Sequence, residues 1–117
     1  MARLAQINVN RSRPSQDLIA RTCEEFDLGL VAVSEPNRVP DDERWLASTD
    51  TPPSAAVTWQ WSRSRVPCSP RWRGTRFAAV DWGIDVIVVS CYFSHSLCDV
   101  EFLRDLRELE VKLTGVK

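Results

Sequence analysis

A chain of 117 residues has room for one core, and 44% hydrophobic with 26% charged residues excludes a disordered polymer. A formal net charge of -1 supplies no global pull toward nucleic acid, so any such binding must come from a local cluster. No apolar run reaches membrane-spanning length, and the opening residues lack the apolar core of a secretory leader, so an intracellular protein with no membrane partner is expected.

In chain order, "RLAQINVN" alternates Leu4, Gln6 and Asn8 against Ala5, Ile7 and Val9, which predicts a strand. Pro14 and Ser15 then open a helix whose apolar face carries Leu18, Ile19, Thr22, Cys23 and Phe26, with Gly29 expected to end it. "LVAVS", residues 30–34, is short and apolar and reads as a strand covered on both faces. Strand, helix and strand make a βαβ unit, so the two strands should run parallel and adjacent with their carboxyl ends side by side. That edge is where ligands gather in open α/β sheets, and the residues arriving there are Asn8 to Asn10, Ser34 and Glu35.

Residues 37–54 read as a long loop pinned by Trp45 and Leu46. "AAVTWQWS" alternates again, with Val57, Trp59 and Trp61 on one face. "RFAAVDW" and "IDVIVVSCYF" form a hairpin turning at Trp82 and Gly83, the second strand being apolar enough to lie centrally in its sheet. "SHSLCDVEFLRDLRELEVKL" is a helix capped by Ser96 or Asp99, with Phe102, Leu103, Leu106, Leu109 and Leu113 as its buried stripe. Cys23, Cys68, Cys91 and Cys98 show no CxxC pair and are expected to be free thiols.

On residues alone, Glu35 is a solvated strand-end acid before Pro36, because a buried carboxylate without a cation, donors or water costs several kcal/mol. The order of segments adds to that reading. "INVN", an amphipathic helix, "LVAVSEP", then "VVSCYFS" and a Leu-rich helix resemble the first half of the endonuclease/exonuclease/phosphatase superfamily. The closest likeness is to the endonuclease domain of arthropod non-LTR (LINE-type) retrotransposons, carried by "QINVNRSRPSQDL" and "VAVSEPNRVP" and running from about residue 4 to about residue 113.

The resemblance implies an α/β fold, the N-terminal half of a four-layer α/β sandwich with one mixed sheet and flanking helices, residues 1–117 being a truncated, partial domain. It implies a fragment of a DNA endonuclease that hydrolyses phosphodiesters with magnesium. Asn8 matches an asparagine that arranges metal and phosphate, Glu35 the glutamate that holds the metal, and Tyr92 in "CYFS" a tyrosine near the scissile phosphate. Magnesium suits this set, since it prefers carboxylate oxygen and keeps several waters. The "GDFN"-like and "SDH"-like motifs that complete the family's chemistry do not occur, and His95, the sole histidine, reads as a surface or capping residue. A chain that is catalytically incomplete alone, with a weakened or lost magnesium site, is therefore expected.

"RSRVPCSPRWRGTR", from Arg63 to Arg76, carries arginines without an acid, with Trp72 between Arg71 and Arg73. Guanidinium groups pair with phosphate and an indole stacks on a base, so Arg71, Trp72, Arg73 and Arg76, joined by Arg11 and Arg13, are the expected DNA contacts. A solvated loop in an arginine-rich protein explains the same stretch. The inner sheet face is expected to be uncovered, offering self-association, and a functional protein would work in the nucleus. The alternative is a non-catalytic remnant that binds nucleic acid or protein through the arginines or that face.

Overall fold

A computed structural model describes residues 3–59, 66–93 and 97–114 and shows two sheets packed face to face. The first holds β1 (Leu4–Asn8), β2 (Leu30–Ser34), β3 (Trp45–Ala47) and β4 (Ala55–Trp59) in the spatial order β1-β2-β4-β3. β1 and β2 are parallel, as the βαβ pattern requires, and β4 runs antiparallel to both β2 and β3. β3 lies inside the segment expected to be loop: Leu46 does pin it, but as a strand residue in register with Val57.

The crossover helix is two helices, α1 (Arg13–Asp17) and α2 (Ile19–Phe26), meeting at Leu18. Ser12 caps α1 by accepting from the Ser15 amide, with Pro14 in the first turn where its missing N–H costs nothing. The break turns Leu18 and Phe26 out to solvent, 54% and 53% exposed, while Ile19 and Cys23 stay buried. Asp27, left-handed at φ 53, ends α2 and bonds back to the Cys23 carbonyl. Gly29, expected in that role, instead donates its amide to the Arg3 carbonyl. An aspartate tolerates the left-handed conformation better than most residues, so the helix ends one turn-position early.

The second sheet comprises β5 (Cys68–Gly74), β6 (Phe77–Trp82) and β7 (Val86–Cys91), all antiparallel in the order β5-β6-β7. The basic stretch is thus largely a strand, with a bulge between Pro70 and Trp72. The β6–β7 hairpin turns as expected, through Gly83 at φ 73. β6, not β7, is the central strand, because β5 takes its other side; Phe77 to Val80 are wholly buried while β7 is a half-exposed edge.

Leu30 and Val57 of the first sheet meet Ala78 and Val80 of the second in one core, with Trp59, Cys68, Trp82 and Val88 around it. On its other side the first sheet packs Val31, Val33, Ala47 and Ala56 against Ile19, Cys23 and Leu28. The expected single sheet with an uncovered inner face is therefore corrected: the hairpin and β5 supply the covering layer from the same chain.

Helix α3 (Asp99–Thr114) rests on the β5–β6 turn. Gly74 permits the approach, since a Cβ there would collide with the Phe77 ring and Glu108. Of the expected stripe only Leu109 is buried; Phe102, Leu103 and Leu113 are 38%, 62% and 43% exposed, and Phe102 meets the edge of Phe93 at 5.4 Å. Among the described residues no helix is long and apolar enough to cross a membrane.

Candidate functional site

The parallel register sets Asn8 beside Ser34, so the residues that follow leave the sheet together at one edge. Ser34 pairs with Ala55 on its other side, and the Glu35 amide continues the pairing by donating to the Ser54 carbonyl at 2.8 Å. The second sheet ends on the same edge. Ser90 Oγ reaches the Val33 carbonyl at 3.4 Å across the interface, so Tyr92 and Glu35 each lie two residues beyond that cross-link. The Tyr92 amide donates to the Arg76 carbonyl at 3.0 Å, and Thr49 to Gly74 at 2.9 Å, closing the rim.

Asn8 is exposed, and its Oδ1 accepts the Asn10 amide at 2.8 Å, an Asx turn that redirects the chain after β1. Asn10 and Arg11 then take left-handed conformations, φ 54 and 59, and Glu35 does so at the neighbouring turn, φ 49. Glu35 is half-buried, its carbonyl takes the Arg11 amide at 2.8 Å, and no described residue donates to its carboxylate. Its main chain is fixed while its carboxylate bonds to none of the described residues.

This donor set fits a hard cation in part. The Glu35 carboxylate, with water completing the shell, suits magnesium held against a phosphate, while the Asn8 amide oxygen is already taken by the Asn10 amide. A full protein cage is lacking: the described residues hold no cluster of three or more acid, histidine or cysteine ligands.

Among solved structures, the chain matches the "Endonuclease domain of TRAS1, a telomere-specific non-LTR retrotransposon", with TM-score 0.70 and 18% identity over 92% of this chain. The fold is that of a retrotransposon endonuclease domain. The chain spans 52% of that domain's length, about half. No family model and no curated protein sequence matches it.

On this endonuclease-domain fold the six expected DNA contacts divide sharply. Arg76 is turned inward: its Nε sits 2.7 Å from Asp105, a side chain 2% exposed, and its Nη1 3.6 Å from Asp50. Arg73 donates to the Ala47 and Ser48 carbonyls, and Arg11 to those of Pro36 and Pro53. These three guanidinium groups tie the fold together. Arg13, weakly paired with Asp17, keeps its charge in solvent, and Arg71 pairs at 2.9 Å with Asp81 while lying 4.6 Å over the Trp72 ring. Arg63, Arg65, Trp61, His95 and Ser96 lie outside the described residues.

Sequence reasoning missed the Asp50–Arg76–Asp105 cluster. Its one legible signal was Asp105, an acid standing between Phe102 and Leu109 at the buried phase of α3. Burial pushes the Asp50 carboxyl up, but hydrogen bonds from Ser48 and Ser54 outweigh that and hold it below its ordinary value. Gln16 was likewise overlooked: its side-chain amide accepts from the Asn37 and Arg38 amides just past Glu35.

Proposed function

We propose that this rim is half of a magnesium-dependent phosphodiesterase site of the endonuclease/exonuclease/phosphatase type, acting on DNA, and that the chain does not complete the reaction alone. The observation that carries this is the Glu35 carboxylate, without a donor among the described residues, one residue past Ser34, the register partner of Asn8 on the parallel strand. The activity named for the TRAS1 domain of the same fold supports the same reading.

Bound magnesium would neutralise charge on a phosphoryl oxygen. Glu35 would hold it. Asn8, its Oδ1 committed to Asn10, has its Nδ2 donors left for a phosphate oxygen, and the Tyr92 phenol could donate to another. Among the described residues two acids are already engaged and offer no free base for the attacking water: Asp50 is committed to Arg76 and Ser48, and Asp81 to Arg71. Orders of magnitude in rate rest on that missing group, so cation binding without cutting is the expected behaviour.

The test is a paramagnetic titration with Mn2+ as stand-in for magnesium, on the wild-type chain and on Glu35→Ala, beside a supercoiled-plasmid nicking assay. One site that disappears in Glu35→Ala, with no nicking by either protein, is expected. Equal Mn2+ binding by both proteins would remove the proposal. A second reading, a non-catalytic nucleic-acid-binding remnant, draws on Arg71 stacked over Trp72 at the surface. DNA binding that survives Glu35→Ala but weakens in Arg71→Ala, with a shallower salt dependence, would select it.

A further inference from the structure

Glu35 holds a conformation that its own sequence opposes. A residue before proline is pushed toward extended backbone, and one that is not glycine rarely takes positive φ, yet Glu35 precedes Pro36 at φ 49. Such a residue persists only where its surroundings over-determine it. The surroundings here are two backbone bonds, at the Glu35 amide and carbonyl, and the side chains of Arg11, Gln16 and Asn37, none of which bonds to the Glu35 carboxylate.

Gln16, on α1, works like a one-residue strand laid against the chain leaving Glu35. Its Oε1 accepts from the Asn37 amide at 2.6 Å and the Arg38 amide at 3.2 Å, while its Nε2 donates to the Arg38 carbonyl. Asn37 returns the link, Nδ2 donating to the Arg11 carbonyl at 2.8 Å. Arg11 Nη1 then donates to the carbonyls of Pro36, at 3.1 Å, and Pro53, at 2.6 Å, on either side of the strand end. The turn after β1 and the turn after β2 are thereby braced against each other, with Glu35 inside the brace.

We infer that Gln16, with Asn37 and Arg11, is a positioning residue for Glu35: it fixes the strained Glu35–Pro36 turn so that the carboxylate faces the rim before any ligand arrives. The inference deepens the cation-site reading and rests on it for its functional consequence. Its structural content is separable, because the Glu35 amide reports on the turn through its bond to the Ser54 carbonyl.

The experiment is residue-resolved amide hydrogen exchange on the wild-type chain, Gln16→Ala and Gln16→Glu, with the Mn2+ titration run on the same samples. In Gln16→Ala, protection at Glu35, Asn37 and Arg38 should fall about tenfold, with Val31 and Val33 in the sheet unchanged, and Mn2+ affinity should weaken several-fold. Gln16→Glu keeps the acceptor oxygen and should retain protection at Asn37 and Arg38. Loss confined to Asn37 and Arg38, with Glu35 still protected, would overturn the inference, and so would uniform loss across the sheet. A wild-type chain that binds no Mn2+ would defeat the cation reading instead, leaving the exchange pattern to decide the brace.

Discussion

Arg11 and Arg76 stand at turns on the same edge of the two sheets, both left-handed, at φ 59 and 71, and both reaching across to tie down other segments. Their acceptors differ. Arg11 is held by the uncharged carbonyls of Pro36 and Pro53, whereas Arg76 lies between the carboxylates of Asp105 and Asp50. Removing Arg11 leaves two uncharged carbonyls, one of them on the fully buried Pro36. Removing Arg76 strands a buried acid, so similar geometry carries different energetic weight.

The largest expected effect follows from that asymmetry. Arg76→Ala leaves Asp105, 2% exposed at its side chain, with only the solvent-exposed Arg104 at 3.3 Å, and should destabilise by about 3–5 kcal/mol. Arg11→Ala should cost about 1–3 kcal/mol, less than Arg76→Ala because the part-buried acceptors it leaves are uncharged. Urea unfolding of the two variants measures the gap. Equal losses would mean that Asp105 is satisfied without Arg76. The double change Arg76→Met with Asp105→Leu should recover part of the loss, because it removes the buried Asp105 charge but leaves Asp50, 13% exposed at its side chain, without its cation.

A medium effect sharpens the comparison by pH. Asp50 titrates below the ordinary 3.8 because Ser48 and Ser54 bond its charged form more strongly than burial opposes it. With the folded value depressed, the stability Asp50 contributes is complete above the unfolded value and is lost as pH falls through the folded one. Stability measured from about pH 5 down to about pH 3 should therefore decline, and the decline should be shallower in Asp50→Asn. An identical acid limb in Asp50→Asn would show that other carboxylates set it.

How far the sequence revealed this molecule also differs between regions. The βαβ unit was legible because alternation in "LAQIN" and the apolar run "LVAVS" are local patterns, and their parallel register follows from the crossover. The second sheet was half legible. Its hairpin carries a turn glycine, but β5 is written in arginines, prolines and a tryptophan, residues that read as loop until β6 supplies a partner. At the rim the resemblance pointed to Asn8, Glu35 and Tyr92, and the register of β1 and β2 brings the chain at Asn8 and Glu35 to neighbouring strand ends. The brace and the acid cluster were not legible, because Gln16 with Arg38 and Arg76 with Asp105 are pairings between residues 22 and 29 positions apart, fixed only by folding.

The smallest expected effect lies on β5 and β6, where an arginine meets an acid in the open. Arg71 and Asp81 are 36% and 37% exposed at their side chains, so the 2.9 Å contact is weakened by water and salt, and Asp81→Asn should change stability by at most about 1 kcal/mol. The same acid has a second neighbour. Burial, and after it the charge of Asp81, push the Cys68 thiol up to about 11. Neutralising Asp81 should lower that value toward, but not to, 9.0, leaving burial as the remaining cause. Alkylation of Cys68 by iodoacetamide should then quicken by about twofold in Asp81→Asn, with the exposed Cys98 as internal standard. A clear loss of stability with an unchanged alkylation rate would reverse the assignment, making Asp81 a structural partner of Arg71 and irrelevant to the thiol.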